Sequence, residues 1–146
     1  MTLLDLNKGV CALVDQAAQA SGTGAELVAE DVRRPILRPS VKVELEDGSE
    51  ARAAEARVER EVTFRVYFFA RDVNQPKLDN LAMRQALGEA FRDGIPVGTD
   101  TVPIDEGLSF TVTDGVLVAT LDLSVDLELP ETGEIMETLH QNLEVS

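Results

Sequence analysis

The chain is poor in the residues from which most active sites are built. It has one cysteine, Cys11, one histidine, His140, no tryptophan, and an aromatic content of 4%. A single cysteine cannot close a disulfide within the chain, so an oxidising compartment is not implied. Cys11 falls among apolar residues on a helical stretch and reads as a small core hydrophobe. Zinc sites take four ligands, mostly Cys and His at short spacings, and one of each far apart in sequence cannot supply them. One histidine leaves little freedom to build a nucleophilic triad, and no Ser or Cys stands in a Gly-x-Ser-x-Gly setting. His140 is therefore expected at a surface or interface. The scarcity of aromatics argues against a stacking platform for bases or sugars.

Basic residues are also few. Lys and Arg number 13 against 27 Asp and Glu, a net charge of −14. Affinity for nucleic acid comes largely from counterion release by Lys and Arg, so direct binding to DNA or RNA is discounted, as is binding to anionic membranes. Strong net charge also keeps free subunits apart until a specific interface overrides it. No apolar run approaches the roughly 20 residues that span a bilayer. The start, Met1-Thr2-Leu3-Leu4-Asp5, has no basic region of the secretory kind, and residence in a cytoplasm is the expectation.

What remains is ordinary globular material: 146 residues, of which 44% are hydrophobic. That suffices for one core, and a single domain over residues 1–146 is expected. Leu3, Leu6, Val10, Leu13, Val14 and Ala17 recur at helical spacing, predicting an amphipathic helix over 3–20 that Ser21-Gly22-Thr23-Gly24 stops. A short strand is expected over 26–30. Pro35 and Pro39 then break the chain into an extended link. Val41, Val43 and Leu45 alternate with Lys42, Glu44 and Glu46, the pattern of a half-buried strand, and Asp47-Gly48 is read as its closing turn. Residues 49–56 read as a loop or a strand extension.

The next strand is clearer. Val58, Val62, Phe64, Val66, Phe68 and Ala70 take even positions; Arg57, Glu59, Glu61, Thr63, Arg65, Tyr67, Phe69 and Arg71 take odd ones, on the opposite face. Asn74 is read as the cap of a helix with Pro76 in its first turn. That helix runs to about Phe91, with Leu78, Met83, Leu87, Ala90 and Phe91 as core contacts, Gly94 as its cap and Pro96 just beyond. A short strand is read over 97–102. Leu108, Phe110 and Val112 begin another, and Asp114-Gly115 signals a hairpin into a long strand through Leu117, Leu121, Leu123 and Leu127, ended by Pro130. The tail carries Met136, Leu139, Leu143 and Val145; helix and strand both stay open there, and residues 130–146 read as an arm able to dock on a neighbour. The order helix, strands, helix, hairpin predicts an α+β fold: an antiparallel β-sheet flanked by two α-helices in a single-layer domain with a C-terminal arm.

Other apparent motifs carry no chemistry. Gly22-Thr23-Gly24 lacks the lysine and preceding strand of a phosphate-binding loop and reads as a helix stop. Asp122, Ser124 and Asp126 have calcium-loop spacing but alternate with core residues on a strand. Asp100, Asp105 and Glu106, near Thr99 and Thr101, form the best acidic cluster. Three carboxylates without fixed geometry read as a solvated loop. No catalytic residue, cofactor site or metal site is predicted.

Two features exceed this bland reading. Tyr67 and Phe69 lie on the nominally polar strand face between Arg65 and Arg71, an aromatic pair rimmed by arginine as in protein interfaces; the alternative is that a helix covers that end of the sheet. Arg33-Arg34 precedes Pro35 in an otherwise acidic chain, either as an arm that engages a neighbour's acidic surface or as a solvated basic pair.

The whole sequence is similar to a known family. An amphipathic helix leads to a strand, then Pro35-Ile36-Leu37-Arg38-Pro39 runs into Val41-Lys42-Val43. The long strand ends Val66-Tyr67-Phe68-Phe69-Ala70; a helix from Leu78 to Phe91, a hairpin and a tail with Met136-Glu137-Thr138-Leu139 follow. This order resembles the small tail-terminator and tail-completion proteins of tailed bacteriophages and prophages, with a departure in the Ala- and Glu-rich stretch from Ala51 to Glu61. The resemblance implies a structural virion protein of the tail or neck that forms a hexameric ring. The ring would cap the tail tube, contact the tube protein and the head–tail connector, and let DNA pass through an acidic lumen without binding it. It implies no catalytic residues. A head–tail connector or other neck component is the alternative within assembly; a small-ligand-binding α+β domain is the alternative of a different class, which an apolar pocket with convergent polar groups would favour.

Overall fold

A computed structural model describes residues 1–28, 37–54, 57–104 and 107–128. Helix α1 spans Leu3–Ser21. It begins where Thr2 and Asp5 cap each other's backbone: Asp5 N donates to Thr2 Oγ1 (3.2 Å), and Thr2 N donates to Asp5 Oδ2 (3.0 Å). It ends at Gly22, whose φ of 73° is the left-handed cap that only glycine adopts freely. A two-residue strand β1, Glu26–Leu27, follows.

Strands β2 (Ser40–Ala54) and β3 (Arg57–Phe69) form a long antiparallel pair. The expected turn at Asp47-Gly48 does not form. Asp47 pairs with Thr63 and Gly48 with Val62, so β2 continues as the strand extension. The register shifts between Leu45 and Asp47, and Glu46 is the extra residue of a bulge. Pairing along the whole of β3 outweighs the local turn preference of the Asp-Gly pair.

Helix α2 covers Lys77–Ala90. Its start differs from the expectation at Asn74. Pro76 stands at the cap position without a side-chain bond, and its carbonyl accepts the first helical hydrogen bond, from Asn80 N at 2.9 Å. The backbone N–H of Asn74 is taken instead by Asp72 Oδ1 at 2.8 Å. The C-cap is Phe91, and Gly94 N donates to its carbonyl. Leu78, expected in the core, is 77% exposed. Asn80, Met83, Ala86 and Leu87 form the buried stripe, and Leu78 is two residues off it, about 200° around the helix.

Strands β4 (Ile95–Val97) and β5 (Asp100–Val102) make a small two-stranded sheet, where the sequence suggested one strand. Strands β6 (Leu108–Thr113) and β7 (Val116–Glu128) form the expected hairpin. Asp114 and Gly115, at φ 52° and 79°, supply the two positive angles its tight turn needs.

The main sheet has the order β1-β2-β3-β7-β6. All pairs are antiparallel except β1 with β2, which is parallel and makes the sheet mixed. The dozen residues from 28 to 39 give the chain the crossover length that parallel pairing requires. The α+β class stands as expected. Both helices pack on one face of the sheet and on each other. The core lies between: Leu6, Val10 and Val14 of α1, Met83 and Leu87 of α2, Phe64 and Phe68 of β3, Leu117 and Leu121 of β7. Each such side chain contributes about 1.5–3 kcal/mol by leaving water. Cys11 is half-buried against this core. The expected C-terminal arm lies outside the described residues.

Candidate functional site

Two surfaces stand apart from the core. The first is the outer face of the sheet. The strict alternation of β3 places Thr63, Arg65, Tyr67 and Phe69 on it, and the register sets Lys42 and Val118 on either side of Tyr67. The bulge swings Glu46 onto the same cluster. Its carboxylate accepts hydrogen bonds from the Tyr67 hydroxyl and from Arg65 Nη1. The Tyr67 hydroxyl, helped by Arg65, holds the Glu46 carboxyl below its ordinary pKa. Partial burial, and then the Glu46 charge, push the Tyr67 phenol above its own. Lys42 Nζ sits 5.1 Å from the centre of the Tyr67 ring and pairs with Glu44 at 2.9 Å.

Phe69 is only 8% exposed, with the Arg38 guanidinium 5.8 Å from its ring centre. Arg38 is anchored there by Nη1 donating to the Ala70 carbonyl at 3.1 Å. Arg71 turns towards α2. Its Nε and Nη2 grip the Asp79 carboxylate at 3.0 and 2.7 Å, which lowers the Asp79 pKa. The structure therefore brings Arg65 and Tyr67 together through Glu46, covers Phe69, and separates Arg71 as a strap from the end of β3 to α2. Arg33 and Arg34 lie outside the described residues. Sequence periodicity put Glu46 on the polar face with Lys42 and Glu44, but it could not pair it with Arg65 and Tyr67, because that contact depends on how β2 registers on β3 and on the bulge.

The second surface is a groove of about 370 Å³ between α2 and β6. Pro76, Lys77, Asn80, Leu81 and Arg84 line one side, and Phe110, Thr111, Val112 and Leu117 the other. Leu81 is 51% and Val112 58% exposed. The Arg84 guanidinium lies 4.9 Å from the Phe110 ring centre. Asn80 Nδ2 donates to the Gly115 carbonyl at 3.1 Å, which ties α2 to the β6–β7 turn. Strand β6 is an edge strand among the described residues and carries no charge and no proline, the usual protections of a free edge. The sequence held one signal for this groove: Leu81 is an apolar residue of α2 that lies outside its expected core contacts.

Asp100 lies on a separate depression between α1 and the β4–β5 sheet, and Asp105 and Glu106 lie outside the described residues. Among the described residues no group of three or more His, Cys, Asp or Glu is placed to hold a metal ion. His140 is likewise outside them. No described helix is long and apolar enough to cross a membrane.

A family model described as phage tail terminator protein matches residues 9–135, from within α1 past the end of β7. No curated protein matches the chain.

Proposed function

The chain belongs to the phage tail terminator family, and from that premise we propose that it acts in the virion tail purely through its surfaces. Copies associate head to tail into a ring, most simply a hexamer, that seats on the open end of the tail tube, stops its growth and offers the head a different surface. The family match across residues 9–135 is the observation that carries this reading. The chemistry of the chain agrees with it. A ring needs heterologous contacts, in which one patch meets a different patch on the next copy. The outer sheet face and the α2–β6 groove are two unlike patches of this kind. A net charge of −14 suits a lumen through which DNA slides without adhering. Tube protein and head–tail connector are the remaining partners, assembly takes place in the host cytoplasm, and no reaction is catalysed.

Stacked tube rings have no intrinsic stop, because each exposes the surface that the next one binds. Deleting the gene from its phage is therefore expected to leave DNA-filled heads and headless tails of abnormal or irregular length in electron micrographs of the lysate. Headless tails of normal length would place the protein in the connector instead, and normal infectious particles would remove it from virion assembly.

A further inference from the structure

We propose that the α2–β6 groove receives the acidic, apolar C-terminal segment of a neighbouring copy, residues 131–146, so that each subunit is tied to the next. This deepens the ring reading above and rests on it.

The groove specifies its occupant in three ways. Its walls are apolar and open, with Leu81 and Val112 more than half exposed, which calls for aliphatic side chains. Its two charged lining residues, Lys77 and Arg84, are both cations in a chain of net charge −14, and neither pairs with a carboxylate among the described residues. Its one strongly buried polar lining residue, Asn80, is 6% exposed. The bond from Asn80 Nδ2 to Gly115 fixes the amide, and Oδ1 accepts no hydrogen bond from any described group. A buried acceptor of this kind calls for a donor, which a main-chain N–H supplies. Alongside, the uncharged edge of β6 offers its own N–H and C=O groups for strand addition.

Residues 131–146 have the matching chemistry. They contain Glu131, Glu134, Glu137 and Glu144, no Lys or Arg, and the aliphatic Ile135, Met136, Leu139, Leu143 and Val145. Position favours a groove on another copy. Leu117 of β7 lines the groove, whereas β7 ends at Glu128, about 36 Å further along at the usual strand rise. The segment thus leaves the sheet at the end remote from its own groove.

Two full-length variants test this. Leu81→Glu/Arg84→Glu spoils the groove at exposed positions and keeps the segment; Leu139→Glu/Leu143→Glu keeps the groove and spoils the segment. Each is expected to keep the wild-type circular dichroism spectrum and to self-associate at least tenfold more weakly in light scattering. Mixed, they should form a 1:1 heterodimer, because one supplies the groove and the other the segment. A labelled peptide of residues 131–146 should bind the segment variant and not the groove variant. If either variant stays as oligomeric as wild type, the groove proposal is overturned while the ring stands. A mixture that stays monomeric, or a peptide that binds neither variant, overturns it as well. A wild-type chain that is monomeric at every concentration overturns the ring reading, and this proposal with it.

Discussion

Glu46 shows how one extra residue organises a surface. The bulge lets its carboxylate meet both Arg65 and Tyr67, two residues apart on the neighbouring strand. Burial first and the contact with Glu46 second raise the Tyr67 phenol, and the same contact lowers the Glu46 carboxyl, so the pair's contribution to stability has two limits. The depressed carboxylate stabilises above its ordinary range near pH 4.5, and that is lost as pH falls through its folded value. The raised phenol stabilises below its ordinary value near 10, and that is lost as pH rises through its folded value. The chain has one tyrosine and no tryptophan, so tyrosinate absorbance reports Tyr67 alone. Its titration midpoint is expected above 10, and Glu46→Gln should move it down by removing the carboxylate charge. A midpoint unchanged by the substitution would mean that the contact does not persist in solution.

At the scale of elements, α1 and β4 meet more closely than side chains allow. A Cβ on Gly9 would lie 2.8 Å from the Pro96 carbonyl oxygen and 3.0 Å from Ile95. Glycine inside a helix ordinarily costs about 1 kcal/mol relative to alanine. Here the close approach reverses the sign, since overpacking costs about 1–3 kcal/mol and the obstructing atom is backbone. Gly9→Ala is expected to lower the denaturation midpoint; a rise would show that α1 and β4 separate freely. The Arg71–Asp79 contact works at the same scale, joining the end of β3 to the first turn of α2. Neither contact was legible in the sequence. Gly9 sits within the apolar helical pattern without marking its partner, and Arg71 reads as a rim residue until α2 is placed beside it.

For the whole molecule, the sparse inventory of Cys and His bears on what the fold depends on. A structural zinc would have to be held by Cys and His ligands, of which this chain has one each. The melting temperature is therefore expected to be unchanged by a chelator, and a fall of several degrees would reveal a metal that holds the fold together.

The sequence by itself determined the α+β class, the span of α1, the two faces of β3 and the β6–β7 hairpin. Each is a local matter: helical or twofold periodicity, a glycine at a positive φ, or an Asp-Gly pair between alternating runs. The tertiary structure decided the rest. Asp47-Gly48 became strand because β3 offered a partner along its full length. Strand β1 pairs in parallel with β2, an orientation that no local pattern specifies. Phe69 was covered, Arg71 was drawn to α2, and Leu78 and Leu81 were left outside the core. These outcomes depend on which surface meets which, and residues far apart in the chain set that only once the sheet and helices have packed.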